Sequence, residues 1–254
     1  MDVTSKYRIL IGISVVALVA AILAPRIAQD PLYHQFADQN AFLSIPNTLN
    51  VLTNLLFGWI GIEGLYRLLR RESLRIVNEV YPAYLCFFAA LILIAAGSGY
   101  YHWMPDNQTL VWDRLPMTIA FMSFFTIMLA ERISVSFARM LFPLLIGIGI
   151  ASIVYWYLSE QNSQGDLRPY ALVQFLPMLL IPSILLLFKS SYTRSSDIWW
   201  FLAWYLIAKV CEAFDAELLN WLKFLSGHSL KHIAASIACL VFLRHLRFRQ
   251  TVDP

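Results

Sequence analysis

The chain has 254 residues, of which 59% are hydrophobic and only 14% charged, and its formal net charge is +3. A soluble domain carries nearer a quarter of charged residues, so this composition excludes an ordinary soluble protein, and a mean hydropathy of +0.62 agrees. The small net charge gives no reason to expect a nucleic-acid partner and leaves oligomeric state open.

Eight apolar segments follow one another: Ile9–Leu23, Thr48–Leu65, Tyr81–Tyr101, Pro116–Ala130, Met140–Leu158, Tyr170–Phe188, Ile198–Leu219 and Leu230–Leu243. Each approaches the length that crosses about 30 Å of hydrocarbon, the fourth and eighth being short. The runs are continuously apolar rather than alternating, which predicts helices and not a transmembrane barrel. The expected fold is an all-α membrane bundle, with an N-terminal transmembrane helix or signal anchor in residues 1–30 and seven core helices in 31–254. Lys6 and Arg8 could open a signal peptide, but the run ends in Ala24-Pro25 with no small-x-small site, which favours an uncleaved helix. Cys86, Cys211 and Cys239 all lie in apolar segments without a Cys-x-x-Cys and read as small core residues.

Charge alternates between the loops. One side carries Lys6 and Arg8, then Arg67, Arg70, Arg71 and Arg75, then Arg132 and Arg139, then Lys189 and Arg194, then Arg244, Arg247 and Arg249. The other carries Arg26, Arg114, Arg168, Lys223 and Lys231. The positive-inside rule then predicts that both termini are cytoplasmic. Segment counting brings Ser98, His102, Asp113, His228 and His232 together at the extracytoplasmic ends.

Those five residues form the pattern with chemistry in it. Ser98 and His102, and again His228 and His232, have the i,i+4 spacing that puts two side chains on one helix face. Polar groups at the ends of membrane segments are costly and point to function. Three imidazoles suit zinc with one position left open, where a bound water has its pKa lowered toward about 7. Asp113 is a candidate proton carrier and Ser98 a candidate donor to the water or an oxyanion. The blander alternatives are a helix cap for Asp113 ahead of Pro116, and close packing for Gly97, Ser98 and Gly99.

The segments Gly97-Ser98-Gly99-Tyr100-Tyr101-His102, Trp112-Asp113-Arg114-Leu115-Pro116-Met117 and Ser226-Gly227-His228-Ser229-Leu230-Lys231-His232 resemble those of the alkaline ceramidase family, bacterial members above all. That family sits in a wider group with the progestin/adiponectin-type receptors. The resemblance, spanning roughly Asn47 to His245, implies a seven-helix bundle preceded here by one extra helix. It implies a zinc-dependent hydrolase that cleaves the amide of a ceramide-like lipid, reached from the bilayer, into a sphingoid-type amine and a fatty acid. His102, His228 and His232 would be the metal ligands, with Ser98 and Asp113 beside the catalytic water. The alternative is a receptor-like lipid-binding protein without turnover; a transporter using Lys209, Glu212 and Asp215 as a proton relay is a third reading. Animal members carry a calcium site before the first core helix. Here only Asp38 is acidic in that region and Ser44 stands where a glutamate is expected, so Ca2+ is doubtful.

Other polar residues read as structural. Lys209 and Glu212 are spaced to pair, and Asp215 either joins helices or orients a ligating imidazole. Asn47, Asn50 and Asn54 share a face suited to hydrogen bonds between helices. His34 reads as a solvated loop residue and His245 as part of the basic cytoplasmic flank.

Overall fold

The structure, a computed structural model, describes residues 1–70 and 73–252. Arg71, assigned above to the cytoplasmic side, lies outside them. Among the described residues the fold is all-helical, with two isolated bridges, Phe42 to Ile45 and Tyr192 to Thr251, and no strand. The helices are α1 (Val3–Leu23), α2 (Thr48–Leu52), α3 (Leu55–Leu69), α4 (Tyr81–Trp103), α5 (Asn107–Arg132), α6 (Val135–Gln161), α7 (Arg168–Leu187), α8 (Ser196–Ala213), α9 (Asp215–Leu222) and α10 (Gly227–Phe248).

Two segments expected as single spans are broken. Thr48–Leu65 splits at Thr53 and Asn54, whose side chains bond back to the carbonyls of Leu49 and Asn50, each at 2.7 Å, and so bend the helix. Ile198–Leu219 splits at Phe214, which leaves helical geometry at φ −109°, ψ 39°. Among the described residues six helices are long and apolar enough to cross a membrane: α1, α4 with the turn before it, α5, α6, α7 and α10. They fit a multi-pass membrane protein. α3 has only 15 residues, and α8 carries Asp197, Lys209 and Glu212.

The two segments expected to be short are full helices. α5 begins at Asn107, where Asp106 and Thr109 form a reciprocal capping box, and runs through Pro116. Asp113 therefore lies inside α5 and does not cap it. α10 begins after Ser226, whose hydroxyl accepts from the Ser229 amide at 3.1 Å.

α5 is the axis of the bundle, packed against α4, α6 and α7, with 78% of its apolar window buried. Gly97 allows its closest approach to α4: a Cβ there would run into the Trp112 carbonyl. α10 packs on α8 and α3, whereas α7 and α8 barely meet. Phe124 stacks on Phe201 at 4.2 Å, and Phe87 and Phe242 close around them. α1 lies outside this core against α7 and has no buried residue. Its C-terminal carbonyls at Ala21, Ile22 and Ala24 accept from Arg168 Nη1, and the Arg168 guanidinium pairs with Asp166 at 2.8 Å.

His245 lies near the end of α10, among the basic residues expected to form the cytoplasmic flank. It is buried, with Nε2 3.1 Å from Arg249, and Arg249 is itself buried and paired with Glu131 at 2.6 Å. This cluster fastens the C-terminus of α10 to α5.

Candidate metal centre and lipid cavity

The last turn of α4 supplies His102, and the first two turns of α10 supply His228 and His232. The i,i+4 spacing on α10 and the antiparallel run of α4 bring the rings together. Their centroids are 4.8 Å apart for His102 and His228, 4.9 Å for His102 and His232, and 5.1 Å for His228 and His232. All three are buried, and one ring nitrogen from each lies within 4.8 Å of the others.

The donor set fits a metal. His102 Nδ1 and His228 Nε2 are buried without a hydrogen-bond partner, which is costly for a polar atom unless something else takes the lone pair. His232 Nδ1 lies 3.0 Å from Thr53 Oγ1. The single hydroxyl proton of Thr53 goes to the Leu49 carbonyl, so Nδ1–H of His232 donates to Thr53 and Nε2 keeps its lone pair. Three neutral imidazoles with no carboxylate among them can hold a metal ion of the zinc type.

The backbone around the histidines is tied from three sides. Asn47, in the left-handed region at φ 47°, donates through Nδ2 to the His102 carbonyl at 2.8 Å. Asn50 accepts from Ser229 of α10 at 2.6 Å. Both are contacts between elements, as expected; Asn54 bonds only within its own helix break. Asp215 accepts from the His228 amide at 2.6 Å and the Ala37 amide at 3.0 Å, so it orients the backbone and not an imidazole.

The loop before α2 closes the centre. Phe36 is buried, with its ring 4.6 Å from His102 and 4.7 Å from His228. His34 is bridged rather than solvated, 3.0 Å from Tyr101 Oη and 3.1 Å from Asn107 Oδ1. Asp38 is buried, and its Oδ1 accepts from the amide and side chain of Asn40 at 3.0 and 2.8 Å. Sequence reasoning found no role for Phe36 or Thr53, because both reach the histidines from distant segments with no spacing rule to reveal them.

A cavity of about 360 Å³ opens beside the centre, a size suited to a small ligand. Ser98, Asp113 and His232 line it together. Much of the lining is apolar, with Leu91, Phe124, Phe201 and Cys239 among it. Lys209 pairs with Glu212 as its spacing predicts. Lys231, counted above as a loop charge, instead reaches into the cavity and bonds Glu212 at 2.7 Å. Arg114 is likewise buried in α5 and lines the same space.

A multi-pass helical bundle with three converging buried histidines, one of them lining a largely apolar cavity, defines a membrane protein able to hold a metal ion. The chain belongs to the ceramidase family, whose model matches residues 40–253. Membership implies hydrolase activity, and the family name points to a lipid amide. No curated protein and no solved structure matches the chain.

Proposed function

We propose that this chain is a zinc-dependent amidohydrolase that cleaves a ceramide-like N-acyl lipid into a sphingoid-type amine and a fatty acid. The observation that carries the reading is the histidine cluster beside a largely apolar cavity that His232, Ser98 and Asp113 line together. His102, His228 and His232 would hold one zinc ion, which when bound supplies Lewis acidity, polarising a carbonyl and making water acidic.

The chain's own groups do the rest. Water adds its oxygen to the amide carbon while Asp113 accepts its proton. Ser98 donates to the carbonyl oxygen as negative charge develops there. The C–N bond then breaks as the proton on Asp113 passes to the leaving nitrogen, and the acid released gives its proton to the free amine, leaving a carboxylate and an ammonium. Phe36 keeps bulk water off the histidines. The apolar wall receives the acyl chain, and the sparse contact between α7 and α8 supports lateral access from the bilayer. The basic loops support cytoplasmic termini and a centre near the extracytoplasmic face; with Arg114 and Lys231 moved into the cavity, that charge bias is stronger than the loop count suggested.

The test is metal content with turnover. Elemental mass spectrometry of protein purified without chelator is expected to find about one zinc per chain, lost in His232→Ala. Asp113→Asn is expected to keep the metal and lose about a hundredfold or more in kcat. No metal in folded wild type would sink the hydrolase reading, and full turnover in Asp113→Asn would sink the proton role.

A further inference from the structure

The cavity holds more positive charge than the hydrolytic reaction uses. Lys209, Lys231 and Arg114 line it against only two carboxylates, Glu212 and Asp113. Glu212 is shared by both lysines, and Tyr33 Oη adds a bond to it at 3.4 Å. Among the described residues Arg114 has no ion-pair partner. Its guanidinium lies 4.4 Å from the Trp156 ring, 4.9 Å from Tyr170 and 5.4 Å from Tyr33, and Nη2 donates to Gln29 at 2.7 Å. Nη1 is buried and bonds to nothing.

The aromatic box holds this cation in place but does not neutralise it. A buried guanidinium with an unused donor is costly, and an apolar residue of similar size would be cheaper if packing were its only task. Its position tells what it serves. Arg114 follows Asp113 in α5, Lys231 precedes His232 in α10, and all four line the same cavity. Leu91, Phe124 and Phe201 supply an apolar wall to that cavity. A substrate with its acyl chain on that wall presents its amine side to Arg114 and Lys231.

We propose that the amine side of the substrate carries an acidic group, a carboxylate or a phosphate, received between Arg114 and Lys231. This rests on the hydrolase reading and narrows its substrate class from neutral amides to acidic ones. A carboxylate or phosphate matches the planar fork of a guanidinium, and the low dielectric of the cavity strengthens the pairing.

Three amides with one acyl chain test it: N-oleoylglycine, N-oleoylsphingosine and the 1-phosphate of the latter. Full-length protein is assayed for turnover, and each amide is also tested for displacing a fluorescent fatty-acid probe, which reads binding without chemistry. At least one acidic amide is expected to exceed the neutral one in kcat/KM by about tenfold or more, and the better of the two names the anion. In Arg114→Gln that ratio falls toward one; a ratio is insensitive to the fraction of protein folded. Lys231→Gln gives the same reading if Arg114→Gln does not fold. Equal or better cleavage of the neutral amide by wild type overturns the proposal and leaves the hydrolase intact. Displacement that depends on charge and on Arg114, with no amide cleaved, does the reverse: anion selection stands and the hydrolase falls. If neither is seen, both readings fall.

Discussion

Single side chains decide how firmly the histidines are held. Thr53 fixes the proton of His232 on Nδ1. Thr53→Val is expected to weaken metal binding about ten- to a hundredfold while leaving the ligands in place, read by competition with a chromophoric chelator. An unchanged affinity would mean that the hydroxyl does not set the tautomer. Phe36 covers two of the rings. Phe36→Ala is expected to speed metal loss to a water-soluble chelator more than it lowers equilibrium affinity, which stopped-flow stripping would resolve. The ligands were legible because i,i+4 spacing is a property of one helix. Phe36 and Thr53 were not, since their contacts depend on how distant segments fold together; Asp215 was singled out, and of its two readings the tie between elements is the one its bonds to the His228 and Ala37 amides fit. Arg114 and Lys231 were visible but misread as loop charges: a single basic residue near a segment end looks the same whether it faces water or a cavity.

At the scale of helices, the alignment of α4 on α5 sets Ser98 opposite Asp113. Gly97 is what allows it, while Gly99, two positions on, has open space where its Cβ would be. Gly97→Ala is expected to destabilise by about 1–3 kcal/mol and to cut turnover, and Gly99→Ala to do neither; thermal unfolding in detergent with parallel assays checks the pair. Equal effects would show that close approach at Gly97 does not position the site. Helix existence was readable throughout, because eight apolar runs leave little alternative. The breaks at Asn54 and Phe214 were hidden, since Asn54 reads as one of a polar stripe with Asn47 and Asn50 and Phe214 is itself apolar. Pro116 misled in the other direction, suggesting a start where α5 simply continues past the ring.

At the scale of the whole molecule, α1 joins the bundle through α7 and through Arg168, whose other partner is Asp166. Hydrogen bonding to Arg168 lowers the carboxyl of Asp166 from 3.8 to about 2. A depressed folded-state value contributes stability that is complete above 3.8 and lost as pH falls through about 2. The gap in apparent Tm between wild type and Asp166→Asn is expected to hold from neutral pH down to that range and then close; a gap that widened in acid would contradict the ion pair's role. The placing of α5 has a wider consequence. It and α10 are the least apolar of the six long helices and the most buried, while α1 and α6 are far more apolar and the most exposed. The interior is thus less greasy than the rim. A saturation-mutagenesis map of this chain would resolve into concentric shells: the rim accepting almost any aliphatic residue, and the axle accepting almost nothing, its apolar positions included.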